Sequence, residues 1–152
     1  MKGKTLAVRI PAWAEKYEIG AEYKTDSFEA TEEELMVSYP TAYPVEAGIE
    51  KLTRRLALEE NSLRITDHFE FAKGCSKNVK EILMCVRPVC MENNTAIVDE
   101  RFKISSSAGK IAYEQVPFDD ERLTSDWNTD FCTRIVIECD GAEEFCIKVE
   151  RI

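Results

Sequence analysis

Leu63-Arg64-Ile65-Thr66-Asp67-His68-Phe69-Glu70-Phe71 is the stretch that decides the fold. Its period is two. Leu63, Ile65, Asp67, Phe69 and Phe71 fall on one face, and Arg64, Thr66, His68 and Glu70 on the other, which is the pattern of a half-buried strand. The run before it, Leu52-Thr53-Arg54-Arg55-Leu56-Ala57-Leu58, alternates in the same way. Glu59-Glu60-Asn61-Ser62 between them is turn-like, so residues 49–72 read as one long hairpin.

The rest of the chain repeats the theme. Strands are expected at 5–10, 34–39, 79–87, 95–104, 110–116, 131–139 and 143–151. Asn93-Asn94, Ser105 through Gly109, and Asp140-Gly141 are turn formers set between apolar runs. Thr31-Glu32-Glu33-Glu34 offers a helix start, but Leu35 to Tyr39 returns to strand character, and Pro40 and Pro44 stop any helix. Residues 117–128 are polar and read as a long loop with one helical turn at Asp119–Leu123. Many short strands without long intervening helices predict an all-β fold, a two-sheet antiparallel β-sandwich. It should hold about eight to ten strands and at most one or two short helices. No internal repeat or low-complexity linker interrupts residues 1–152, so they read as one domain.

The chain has 152 residues, 44% apolar and 32% charged, a balance that excludes a wholly disordered chain and suits a real core. Its net charge is −9, so nucleic acid and anionic membrane are poor partners for the surface as a whole. No apolar run approaches the ~20 residues of a membrane helix. The start, Met1-Lys2-Gly3-Lys4-Thr5, leads into a short strand-like run and Pro11 without the apolar stretch of a signal peptide, and a cytoplasmic location is expected.

Six cysteines, Cys75, Cys85, Cys90, Cys132, Cys139 and Cys146, include no CxxC pair. Several alternate with apolar residues, as in Ile82-Leu83-Met84-Cys85-Val86. Buried free thiols acting as small hydrophobes are expected, in a reducing compartment. His68 is the single histidine, and there is no Gly-rich phosphate loop and no GxSxG. No cofactor is expected.

Composition and spacing therefore leave function open, and a resemblance supplies the expectation. Tyr39-Pro40-Thr41-Ala42-Tyr43-Pro44-Val45-Glu46-Ala47-Gly48-Ile49 is followed by Arg54-Arg55 and then by Leu63 to Phe69. This order resembles the C-terminal β-sandwich of heparinase II/III-like proteins, where an "AYP.EAG" segment precedes a strand with "R" and a "v.D.f" strand. Gly20-Ala21-Glu22-Tyr23-Lys24 is similar to the family's "G.eY.A" segment. Asp120 to Trp127, followed by Thr133-Arg134-Ile135, is similar to its "d.RL...W....yRI" ending. The resemblance spans roughly residues 20–139.

Members of that family are polysaccharide lyases or their relatives, built from an α/α toroid and β-sandwich layers. The resemblance implies β-elimination at a uronic acid, in which a Tyr or His base takes the C5 proton and the carboxylate is neutralised. The toroid has no counterpart here, nor does the family's histidine-bearing segment before "G.eY.A". In that place stands Leu6-Ala7-Val8-Arg9-Ile10-Pro11-Ala12-Trp13-Ala14, which resembles the "lRIPaWa" segment of β-L-arabinofuranosidase-type glycosidases. The resemblance thus implies a non-catalytic accessory sandwich whose partners are a polysaccharide or the catalytic toroid of a parent protein. Neither nucleic acid nor membrane is expected as a partner, and a homodimer is left open. The alternatives are a stand-alone carbohydrate-binding module and an accessory sandwich of an arabinofuranosidase-type glycosidase.

Individual residues refine these expectations. Tyr39, Tyr43 and Trp127 sit in loop-like segments and are the candidates for stacking on sugar rings, although packing at the sandwich edges is the commoner role for such aromatics. Asp26, Asp67 and His68 are weak candidates for a metal site. Asp67 and His68 are neighbours in a strand and so point to opposite faces. Asp67, inward, should accept hydrogen bonds from backbone or arginine, because a buried carboxylate must be satisfied. Arg54 and Arg55 also alternate, so one of them can pair with Asp67 across the hairpin, and both cannot face one groove. No catalytic residue is assigned.

Overall fold

The computed structural model describes residues 6–9, 25–75, 78–139 and 141–152. Twelve strands lie among them: β1 (Leu6–Arg9), β2 (Ser27–Ala30), β3 (Glu34–Ser38), β4 (Ile49–Glu59), β5 (Ser62–Phe71) and β6 (Lys80–Cys85), then β7 (Val89–Glu92), β8 (Thr95–Val98), β9 (Phe102–Ser106), β10 (Lys110–Pro117), β11 (Phe131–Glu138) and β12 (Glu144–Arg151). One helix, α1 (Glu121–Trp127), joins β10 to β11. The strands form an eight-stranded sheet in the order β2-β3-β4-β5-β12-β9-β8-β7 and a four-stranded sheet in the order β1-β6-β11-β10. Every pairing is antiparallel. The expected two-sheet antiparallel sandwich is the observed fold, with twelve strands rather than eight to ten.

The long hairpin is β4 and β5, whose register runs from Ile49↔Phe71 to Glu59↔Ser62. Alternation puts Leu52, Ile65 and Phe69 on the inner face, all buried. Phe145 and Ile147 of β12 continue this layer, and Ile135 and Ile137 of β11 with Ile111 of β10 meet it from the small sheet. Phe69 stacks on Phe71 and Phe145 at centroid distances of 5.6 and 5.9 Å. Each fully buried side chain of this size contributes about 1.5–3 kcal/mol by removing apolar surface from water. At one corner, Asn94 accepts from Ile111 N at 2.8 Å and donates to Gly109 O at 3.0 Å, so a side-chain amide ties the β7–β8 turn to the small sheet.

Four local expectations are corrected. β2 and β7 were not foreseen, because β2 is wholly exposed and shows no alternation and β7 follows directly on Pro88. The run 95–104 is two strands, β8 and β9, parted by Asp99 and Glu100, both with positive φ. The helical turn expected at Asp119–Leu123 within the loop 117–128 is α1, seven residues long and shifted to Glu121–Trp127. Asp120 caps it by accepting from Arg122 N at 2.7 Å, and Asn128 ends it in the left-handed region at φ 53°. The six thiols are free, yet only Cys132 and Cys139 are buried; Cys75, Cys85 and Cys146 are half-buried and Cys90 is exposed. Ile10–Ala14, Gly20–Lys24 and Asp140, on which parts of the sequence reading rest, lie outside the described residues.

Candidate functional site

Tyr39 to Gly48 folds as a corner leading into β4. Two 3-10 turns, Pro40–Ala42 and Val45–Ala47, carry the chain round, and Gly48 leaves the second at φ 66°, a left-handed conformation that suits glycine. A Cβ on Gly48 would also collide with Cys75 Sγ. Tyr43 and Ala47 point into the core, at 2% and 4% exposure.

Beyond the corner lies the densest polar cluster of the interior. Arg54 on β4 stands directly opposite Asp67 on β5. Its Nε donates to Asp67 Oδ1 at 2.7 Å and its Nη2 to Asp67 Oδ2, a bidentate pair. The same Nη2 donates to both Glu81 oxygens, at 2.8 and 3.0 Å, from the facing strand β6. Arg54 is 7% exposed, and Asp67 and Glu81 are fully buried. The ring of Tyr39 lies 6.0 Å from the guanidinium carbon. No buried side-chain nitrogen or oxygen among the described residues lacks a partner.

Two carboxylates share one cation, which sets the protonation. Burial drives the Glu81 pKa well above its ordinary value, the hydrogen bond and charge of Asp67 push it the same way, and Arg54 pulls it partly back. A protonated Glu81 makes the cluster neutral overall and supplies the proton for its bond to Asp67. For Arg54, burial lowers the pKa, but the Asp67 hydrogen bond and the charges of Glu81 and Asp67 outweigh it and the value rises. The guanidinium stays charged at every working pH.

The expected Asp67–arginine pairing is thus present, with Arg54 as the partner. Arg55 points outward and pairs with Glu34 at 2.5 Å. His68 lies on the outer face, partly exposed, with Nε2 3.5 Å from Glu70 Oε1 and Nδ1 3.7 Å from Glu144 Oε2. Glu70 also accepts from Lys51 at 2.9 Å, and this bond lowers its pKa. A histidine flanked by two carboxylates is set in a field that repels a uronate.

The weak metal candidates do not converge. Asp67 and His68 lie on opposite faces, as expected. Asp26, which accepts from Thr41 Oγ1 at 3.4 and 3.5 Å, sits beside Ser38. Ser38 pairs with Thr53 and Thr53 with His68, so three strand spacings, about 14 Å, separate Asp26 from the histidine. Among the described residues no group of three or more His, Cys, Asp or Glu is placed to hold a metal ion.

The aromatic candidates are also dispersed. Tyr43 is in the core and presents no face to a sugar. Tyr39 is half-buried against Arg54, and half-buried Trp127 packs on Phe118 with centroids 6.3 Å apart. Glu81 went unnoticed in the sequence although a signal existed. It shares the parity of Val79, Leu83 and Cys85, as Arg54 shares that of Leu52 and Leu56. Two opposite charges, each on an apolar face, point to a buried pair.

No helix among the described residues is long and apolar enough to cross a membrane. No protein-family model matches the chain, and no curated protein matches it in sequence.

Proposed function

We propose that this chain is a non-catalytic accessory β-sandwich resembling the C-terminal domain of heparinase II/III-like lyases, serving uronic-acid polysaccharide elimination within a larger parent protein. One observation carries the reading. The residues that bear the resemblance are those that build the sandwich: Tyr43, Ala47 and Gly48 form the corner into β4, and Arg54 and Asp67 form the tie beneath it. A motif used in this way belongs to a structural layer rather than to a set of acid and base groups around a sugar. Elimination needs a base, a carboxylate neutraliser and a donor to the leaving oxygen within hydrogen-bond reach. In this reading the toroid supplies them, and the sandwich supports the cleft. The free thiols favour a reducing compartment such as the cytoplasm.

The test has two arms. The coding frame around this segment should encode an α/α toroid; a frame without one overturns the proposal. The isolated chain, incubated with heparin, alginate or another uronic-acid polymer, should give no rise in absorbance near 232 nm. A steady rise abolished by His68→Ala would make His68 catalytic and refute the accessory role.

A further inference from the structure

The two sheets do not close on each other at one end of the sandwich. A cavity of about 200 Å³ remains between them. Its lining includes buried Ile65, Ile104 and Ile135 and partly exposed Leu83, Cys85 and Phe102. Among the described residues no charged one lines it. Protein interiors seldom leave voids larger than a water, and an apolar cavity of ~150 Å³ stays dry and takes up benzene. This one is larger, and the partly exposed residues form its mouth.

Basic side chains stand beside that mouth. Arg151 pairs directly with Phe102, a lining residue, and so shares its face. Arg101 immediately precedes Phe102, and Arg87 lies two residues beyond Cys85, whose Sγ contacts its carbonyl. All three are exposed, and none makes an ion pair among the described residues. In a chain of net charge −9, Arg151 is thus an exposed cation on the same face as the lining, while Arg101 follows the acids Asp99 and Glu100 in the β8–β9 turn.

We infer that this cavity binds the tail of a medium-chain carboxylate, with the carboxylate held at the mouth by Arg151. The volume admits about six to eight carbon atoms at roughly the ~30 Å³ that a water-sized group occupies. It is too small for a helix or a folded segment. The apolar lining removes the chain from water, and guanidinium groups fit a carboxylate bidentately.

Octanoate, octanol and octylammonium, titrated into the purified chain and followed by displacement of an anilinonaphthalene sulfonate probe, separate the two contributions. Octanoate should bind at least tenfold more tightly than octylammonium, with octanol between them. Leu83→Trp or Cys85→Phe should fill the cavity and abolish binding of all three, with an unchanged β circular dichroism spectrum and a cooperative melt identifying whichever variant folds. Arg151→Gln should bring octanoate to the level of octanol and leave octanol unchanged. Absence of saturable binding by every ligand overturns the inference. So does equal affinity for octanoate and octylammonium, or a dimer seen by light scattering that octanoate does not dissociate, which would make a second copy the occupant.

Discussion

Glu81 on the small sheet reaches across the core to Arg54 on the large one, and the same guanidinium nitrogen holds Asp67. The two layers are therefore tied by charge as well as by apolar contact. Such a tie is expensive to break and need not stabilise relative to an apolar core, because each ion loses its hydration.

The pH dependence follows from Glu81. Its folded pKa is raised, mainly by burial, above the ordinary 4.5. The folded chain therefore retains a proton that the unfolded chain releases. The resulting stability is full below that ordinary value and is lost as pH rises through the folded one. Thermal midpoints should fall from pH 5 towards pH 8. Glu81→Gln keeps a donor for Asp67 and an acceptor for Arg54, and its midpoint should stay level across the same range. The carboxylates with lowered pKa values, exposed Glu59 and Glu70 and half-buried Glu138 and Glu150, lose their contribution only below 4.5 and do not disturb this window. A level wild-type profile would show that Glu81 is ionised in the core.

Removing the cation alone should be severe. Arg54→Met leaves Asp67 buried without its partner and should cost about 3–5 kcal/mol in urea unfolding at pH 7. The triple change Arg54→Met, Asp67→Leu and Glu81→Met replaces the whole cluster by apolar groups and should recover most of that loss. If the triple variant is no better than Arg54→Met, the cluster contributes more than its own satisfaction.

Much of this arrangement was legible in the sequence. A strict period of two places Arg54 and Asp67 inward and Arg55 and His68 outward, because a strand has only two faces. Glu81 is masked by Lys80, which precedes it and makes the pair read as a polar strand end, although its parity with Val79, Leu83 and Cys85 marks it as the inward one of the two. Tyr43 looked like a loop aromatic, since neighbouring prolines mark a turn but do not say which way its side chain points. Helix α1 was underestimated for a similar reason. Asp120 was visible as polar, whereas its service as a cap depends on the backbone turning at that residue.

The β8–β9 turn carries strain that can be relieved. Asp99 and Glu100 both have positive φ, at 55° and 51°, a region that costs a non-glycine residue about 1–2 kcal/mol. Glu100→Gly removes that cost but loses some backbone entropy, for a net gain of about 0.5–1 kcal/mol. The thermal midpoint should rise by about 1–4 °C. Glu100→Val, branched at Cβ, should lower it.

The thiols should react in order of exposure. Exposed Cys90 should titrate first with a disulfide reagent at neutral pH, and the half-buried Cys75, Cys85 and Cys146 more slowly. Cys132 and Cys139 should react only on unfolding; at Cys132 burial also raises the thiol pKa and lowers its thiolate fraction. Fewer than six groups after unfolding without reductant would mean disulfides.

The position of β12 bears on how the chain reaches this state. It follows every other strand in sequence, yet it lies between β5 and β9 and bonds to both. Until it arrives, the large sheet exists only as two separate pieces, β2 to β5 and β7 to β9, each with a bare inner edge. A nascent chain must hold those edges open through the synthesis of β10, α1 and β11. Assembly dominated by such distant pairings is slow, on the order of milliseconds to seconds, and the waiting edges are the surfaces on which two unfinished chains would join.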